Sequence, residues 1–409
     1  MPISRSVKDA LGSSSMIRKM FEEGNLLKKQ HGADKVFDFS IGNPDIEPPD
    51  AFHRVLLRFA QEDAAGLTKG VHGYMPNPGF PAVRDALAKK ASREQGVTLD
   101  GSHIIMTVGA AGGLNVVFKT ILNPADEVIV PRPYFMEYKS YVGNHEGILR
   151  EVDSLPDFNL DLDAISKALS EKTAAVLINS PHNPTGRIYP AATLRALAEI
   201  LEAHGKKTGR YPFLVADEPY REIVYISGGT PPVLAAYRHS ISVTSYSKSL
   251  SLPGERIGYI AVNPGIQDEE DLLSGLIYAT RVLGYVNAPA LMQRIVAELT
   301  EESVDVGVYA RRRDAFKTVL DKAGIPYANP EGAFYLFAKV PPKKGGSTAV
   351  TDIVGDDGAF VNHLKQYLIL GVPGSGFGKP GWLRFAYCVD ETLIRASGEA
   401  FKKAMETWV

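Results

Sequence analysis

The 409-residue chain holds one cysteine, Cys388, so it can close no internal disulfide and offers no thiolate set for zinc. Excess charge is equally scarce. The 45 Lys and Arg against 47 Asp and Glu leave a net −2, with no basic field to grip a phosphate backbone. Nucleic-acid binding as a main task is set aside on that balance. Long apolar runs are missing too: none approaches the roughly 18–20 residues a membrane helix needs. The richest stretch, LLSGLIYATRVLGYV, is interrupted by Gly275, Arg281 and Gly284. The N-terminal MPISRSVKDALGSSS lacks the apolar core of a secretory signal. No H-E-x-x-H, G-x-S-x-G or Walker lysine occurs, and the nine histidines show no metal-ligand spacing, so no metal site is expected. The expectation is a protein of the reducing cytoplasm without membrane or nucleic-acid partners.

What is present reads as an enzyme of ordinary globular composition. Hydrophobic residues make up 44% and charged ones 22%, which excludes a disordered or collagen-like chain. The length predicts two units. Short β-rich runs recur at HIIMTV (103–108), DEVIVP (126–131), GILREV (147–152), AAVLIN (174–179), FLVAD (213–217), ISVTSYS (241–247) and IGYIAV (257–262). Their continuous apolar character predicts strands buried on both faces. Leu114, Val117, Phe118 and Ile121 repeat at helical spacing, as do Leu194, Leu197 and Leu201. This alternation predicts a mostly parallel α/β unit, with ligands beyond the carboxyl ends of its strands. After about residue 300 a long helix, the strands AFYLFAKV and WLRFAYCV and a terminal helix suggest a smaller α+β unit. The triplet Arg311–Arg313 is read as the solvated face of that long helix, PPKKGGSTA (341–349) as a surface loop, and SSMIRKMFEEGNLLKK as a helix.

Five segments carry chemistry. In SYSKSLSLPGERIGY (245–259), Lys248 follows a strand, where desolvation would free its amine as a nucleophile; the other reading is a surface lysine in a serine-rich loop. In FLVADEPYREIVY (213–225), Asp217 ends a buried strand and needs a cationic or proton-sharing partner, unless it caps a following helix. Gly109 to Gly113 lie between a strand and a helix, where backbone N–H groups could approach a phosphate. Asn183 sits in the turn NSPHNPTGRIY (179–189), beside a His182 read as structural. Arg384, in GWLRFAYC, can grip a carboxylate as a fork or serve a structural ion pair. The literal G-x-G-x-x-G at Gly376, Gly378 and Gly381 contains Pro380 and precedes a strand, so the dinucleotide reading fails there.

The types and order of these segments resemble the class I/II aminotransferases, fold type I enzymes that use pyridoxal 5′-phosphate, from about Ile41 to Arg384. The resemblance implies a large domain (46–300) with a mostly parallel seven-stranded sheet between helices. It also implies a smaller α+β domain built from 1–45 and 301–409. Lys248 would be the Schiff-base lysine and proton carrier, Asp217 the partner of the pyridine nitrogen, and Tyr220 and Asn183 the partners of the ring oxygen. Gly109, Ala110, Ala111, Ser245 and Arg256 would bind the phosphate, with Phe135 stacked on the ring. Arg384, helped by the backbone at Gly42, would clamp the substrate carboxylate, and PEGAFY (330–335) would lie near it. Tyr74 would reach the phosphate site of a second subunit in a homodimer. The implied reaction is ping-pong transfer of an amino group from an L-amino acid to a 2-oxo acid. A β-lyase on the same fold is the alternative, and a regulatory module binding the cofactor a remote one. Some acidic-substrate relatives carry a lysine where this chain has Ala111, and others an arginine one residue from Arg281. Aspartate/glutamate-, alanine-, methionine- and aromatic-type donors therefore stay open.

Overall fold

A computed structural model describes residues 3–4, 7–8, 16–343 and 356–408. The segment 344–349 of the expected surface loop lies outside the described residues. The large sheet contains Ile104–Thr107 (β2), Glu127–Arg132 (β3), Ile148–Asp153 (β4), Thr173–Asn179 (β5), Phe213–Asp217 (β6), Ser240–Ser245 (β7) and Gly258–Val262 (β8). Their spatial order is β2-β8-β7-β6-β5-β3-β4. Pairings from β7 through to β4 are parallel, whereas β8 runs antiparallel to both its neighbours.

Strand parity explains the two-sided burial. In β5, Ala175 and Leu177 pack with Leu114, Val117, Phe118 and Leu276 on one face. Val176 and Ile178 pack with Leu194, Leu197 and Leu201 on the other. Alternate side chains of a strand point to opposite faces, so a strand roofed by helices on both sides must be apolar throughout. β4 departs from the expectation: as the edge strand it leaves Ile148 exposed and buries chiefly Val152.

The smaller sheet joins Tyr327–Ala328 (β9), Tyr335–Lys339 (β10), Val372–Pro373 (β12) and Trp382–Ala386 (β13) in the order β12-β13-β10-β9, all antiparallel. Phe37–Asp38 (β1) pairs in parallel with Ile369–Leu370 (β11). That pairing brings Phe39 into an aromatic core with Phe316, Phe385 and Phe401; its ring lies 4.5 Å from that of Phe316. The N-terminal helix spans Met16–His31.

One sequence expectation is corrected. Arg312 is not on a solvated face: only 7% exposed, it forms a forked ion pair with Asp45, Nη2–Oδ2 3.0 Å. Tyr309 and Phe316, one turn away on either side in the helix Val306–Ala323, are buried, so Arg312 shares their stripe. Arg311 alone of the triplet is largely exposed.

Among the described residues no helix is long and apolar enough to cross a membrane, and no cluster of three or more His, Cys, Asp or Glu could hold a metal ion.

Candidate active site

Topology gathers one rim. β5 and β6 end in register at Asn179 and Asp217, and β7 ends beside them at Ser245. β2 leads into Gly109 and β3 into Phe135. Because β8 runs the other way, its start lies at this same rim and delivers Arg256. Here a cavity of about 310 Å³ opens, walled on its far side by Ile41, Gly42, Tyr335 and Arg384 from the N-terminal segment and the small sheet. All the site residues singled out in the sequence line it except Gly109 and Tyr74. Gly109 abuts Arg256, and Tyr74 is 94% exposed, outside the cavity.

Asp217 is buried, and no helix follows it, so the capping alternative falls away. Strand parity aims Asp217 and Asn179 toward the face that carries Tyr138. The Tyr138 hydroxyl donates to Asp217 Oδ2 at 2.5 Å, and Asn179 Nδ2 donates to the Asp217 carbonyl at 2.7 Å. The second carboxylate oxygen, Oδ1, is buried without a hydrogen-bond partner. Burial pushes the carboxyl up to about 7; the Tyr138 bond works against that rise, and the neighbouring Glu218 charge adds to it.

Lys248 sits in a one-turn helix, Tyr246–Ser249, directly after β7. Its ammonium donates to the Gly42 carbonyl at 2.8 Å and lies 5.2 Å from the Phe334 ring centre. Burial draws this amine down to about 8, helped by the positive charges of Arg384 and Arg256. The lysine is therefore no solvated loop residue. Its lowered pKa leaves a larger neutral fraction near neutral pH than a solvated lysine has, as a nucleophile and proton carrier needs.

Arg384, 2% exposed, extends from β13 between the Tyr335 and Phe377 rings, 4.5 and 4.9 Å from its guanidinium carbon. Nη1 donates to Asn183 Oδ1 at 3.1 Å, Nη2 to the Ser40 carbonyl at 2.7 Å, and Nε has no partner. None of these neighbours is anionic, so the guanidinium keeps an uncompensated charge at the cavity wall. The structural ion-pair alternative is not what the contacts show. Tyr220 exchanges a hydrogen bond with Tyr335 at 2.8 Å, and a Cβ on Gly42 would come within 2.1 Å of the Tyr335 hydroxyl.

At the opposite end the helix Gly109–Ile121 points its N-terminus into the cavity, with Ala110 and Ala111 in its first turn. Arg256, in a left-handed backbone conformation (φ 50°), is held there by the carbonyls of Pro253 (3.0 Å) and Val108 (3.3 Å). Gly109 has φ 76°, a left-handed conformation that favours glycine, and a Cβ there would come within 2.9 Å of Arg256 Nη2. Free N–H groups, the helix dipole, the Ser245 hydroxyl and a guanidinium together form an anion cradle.

This donor set fits pyridoxal phosphate. The orphaned Asp217 oxygen suits a protonated ring nitrogen, the cradle suits the phosphate, and the Lys248 amine suits the aldehyde. Lining residues that escaped the sequence reading include Tyr138, Tyr141 and Asn179, as well as the individual role of Tyr335. Asn179 carried the same strand-end signal as Asp217. Tyr138 lies three residues after Phe135, but its link to Asp217 spans 79 positions, which no local pattern reveals. His182 is structural as read: buried, its Nδ1 2.8 Å from the Thr185 hydroxyl, with burial drawing the ring down to about 3.

Comparisons with known proteins bear on the family and the fold. A family model described as aminotransferase class I and II matches residues 34–399. The aspartate/prephenate aminotransferase of Thermus thermophilus is 30% identical over 387 residues, covering 92% of each chain. The probable aspartate/prephenate aminotransferase of Aquifex aeolicus is 31% identical, covering 91% of each. Among solved structures, an aminotransferase from Eubacterium rectale superposes with a TM-score of 0.92 at 36% identity, covering 100% of this chain and 99% of that one. The aspartate aminotransferase of Thermus thermophilus with maleate gives 0.84 at 27%, covering 99% and 100%.

Proposed function

Since the chain belongs to the class I and II aminotransferases, enzymes that depend on pyridoxal 5′-phosphate, we propose that it moves the amino group of an L-amino acid to a 2-oxo acid by a ping-pong mechanism, with Lys248 as its Schiff-base lysine. The observation that carries this reading is the convergence on one cavity of a depressed lysine, a buried aspartate with one free oxygen and a guanidinium with no counter-charge. When bound, pyridoxal phosphate supplies an aldehyde for primary amines and a ring that spreads the negative charge left at Cα.

The protein's part is positioning and proton handling. Asp217 Oδ1 would accept a hydrogen bond from a protonated ring nitrogen, with Tyr138 keeping the carboxylate oriented. Arg256, Ser245 and the first N–H groups of the Gly109–Ile121 helix would hold the phosphate, and Phe135 would cover the ring. Tyr220 and Asn183 would hydrogen-bond the ring oxygen. Arg384 receives the α-carboxylate, with the backbone at Gly42 beside it, which fixes the substrate's orientation. Lys248 Nζ then stands where it can take the Cα proton and return it, and its lowered pKa leaves a sizeable neutral fraction for that task.

Residues 46–300 would form the cofactor-binding unit, and 1–45 with 301–409 the smaller one. The same reading makes the enzyme a homodimer in which Tyr74, 94% exposed in one chain, reaches the second subunit's phosphate. The direct test is Lys248→Ala: the purified variant should lose the absorbance near 400 nm and turnover should fall at least 10³-fold, whereas undiminished turnover would refute the assignment.

A further inference from the structure

We infer that Asp38 is a positioning residue for the substrate carboxylate: it fixes Ser40, and through the Ser40 carbonyl the direction in which Arg384 presents its guanidinium. The N-terminal helix Met16–His31 holds Asp38 in turn. The inference deepens the reading just given, in which Arg384 receives the α-carboxylate, and rests on it.

Asp38 ends β1 only 5% exposed, where an ionised carboxylate is costly unless it is paired and hydrogen-bonded. Both of its oxygens are engaged. Oδ2 accepts from Lys28 Nζ at 2.6 Å. Oδ1 accepts from the Ser40 N–H at 3.1 Å and from the Ser40 hydroxyl at 2.6 Å. Ser40, itself buried, is thereby gripped at two points. Its carbonyl accepts from Arg384 Nη2 at 2.7 Å, a shorter bond than the 3.1 Å one that Nη1 makes to Asn183. The carboxylate sets the serine, and the serine sets the arginine.

The backbone beyond Ser40 shows why this hold matters. Ser40, Ile41 and Gly42 give three consecutive carbonyls to Arg384, to the Cys388 thiol at 3.6 Å and to Lys248 at 2.8 Å. A guanidinium that must meet a carboxylate as a planar fork tolerates little rotation of its anchors. The Gly42 end has its own fastening, Asp45 on Arg312. Asp38 therefore acts on the Arg384 end.

The helix carries a mark of the same arrangement. Gly24 lies in its middle, although glycine is the poorest interior helix former after proline. A Cβ at Gly24 would stand 2.9 Å from Asp38 Oδ2 and 3.0 Å from Leu370 Cδ1. Glycine lets the helix pass close to the carboxylate, and Lys28, one turn on along the same face, reaches it.

The test uses the holoenzyme and whichever of L-phenylalanine, L-leucine, L-aspartate and L-glutamate the wild type turns over fastest. Calorimetry with 3-phenylpropanoate and maleate measures carboxylate binding without reaction. Asp38→Ala should raise KM for that donor, and Kd for the tighter of the two carboxylates, at least about fivefold, with kcat within about twofold. Asp38→Asn keeps an oxygen for Ser40 and should return both constants to within about twofold of the wild type. Gly24→Ala improves helix propensity but crowds Oδ2, and should raise both constants at least about threefold. If Asp38→Ala does not fold, Gly24→Ala carries the test. Unchanged KM and Kd in either Ala variant, a fall in kcat at constant KM, or an Asn variant as impaired as Ala overturns the inference while leaving the aminotransferase reading intact. A thermal melt that falls while both constants hold marks a merely structural tie and overturns it too. Should the wild type react with no amino acid at all, the aminotransferase reading fails and this inference with it.

Discussion

Asp217 carries a contradiction that its surroundings only half resolve. Burial favours the neutral acid, yet its task beside a ring nitrogen requires the carboxylate, and the Tyr138 hydroxyl is the group that pulls it back. Removing that donor leaves the raising influences, burial and Glu218, unopposed, so the carboxyl titrates at still higher pH. A hydrogen bond to a charged group is worth about 1.5–3 kcal/mol. Tyr138→Phe is therefore expected to weaken cofactor binding about tenfold at neutral pH and to move the acid limb of the binding profile upward. Absorbance titration across pH 5–9 measures both; an unchanged limb would show that Tyr138 merely packs. At this scale the sequence pointed to Asp217, Lys248 and Asn183, which the structure brings to one cavity, but passed over Asn179 at the end of β5. It was mute where a partner comes from far along the chain. Nothing near position 138 announces a hydroxyl aimed at residue 217.

Elements were easier to read than contacts, for a physical reason. A strand roofed on both faces leaves an unbroken apolar run, and each of the seven runs in the sequence overlaps a strand of the large sheet. The basic triplet was misread because charge was weighed ahead of helical phase: Tyr309, Arg312 and Phe316 share one stripe. Arg312 secures Asp45, and the stretch just before it gives the Gly42 carbonyl to Lys248 and the Ser40 carbonyl to Arg384. The helix Val306–Ala323 thus steadies the substrate end of the cavity without touching it. Asp45 is 37% exposed, which limits what the ion pair adds to stability to about 1 kcal/mol. Arg312→Ala should leave the protein folded and raise KM for the amino donor several-fold, with kcat within about twofold. Steady-state kinetics beside a thermal melt separate this from general destabilisation; a fall in kcat with KM unmoved would contradict it.

For the whole molecule, the single chain leaves apolar surface unexplained. Leu57, Leu67, Tyr74 and Tyr278 are exposed by 60, 76, 94 and 56%, surface that the homodimer reading offers to a second copy. A second copy covering them is the expected state, and sedimentation should report twice the chain mass. Tyr74→Ala should lower phosphate-dependent cofactor retention without dissociating the pair; a monomer retaining full activity would contradict both. The global likeness in fold was visible early, since the alternation of strand and helix needs no partner, whereas the surface shared between copies leaves no periodic mark.

The reversed strand β8 has one more consequence. Consecutive strands elsewhere in the large sheet are joined by crossovers, which lengthen or shorten over evolution with little harm. Lys248 and Arg256, by contrast, hang from the connection of its only hairpin, β7 to β8. One residue gained or lost there would slide one arm by about 3.3 Å and turn its side chains over. Insertions in connections away from the cavity should be tolerated before a single one between positions 246 and 257.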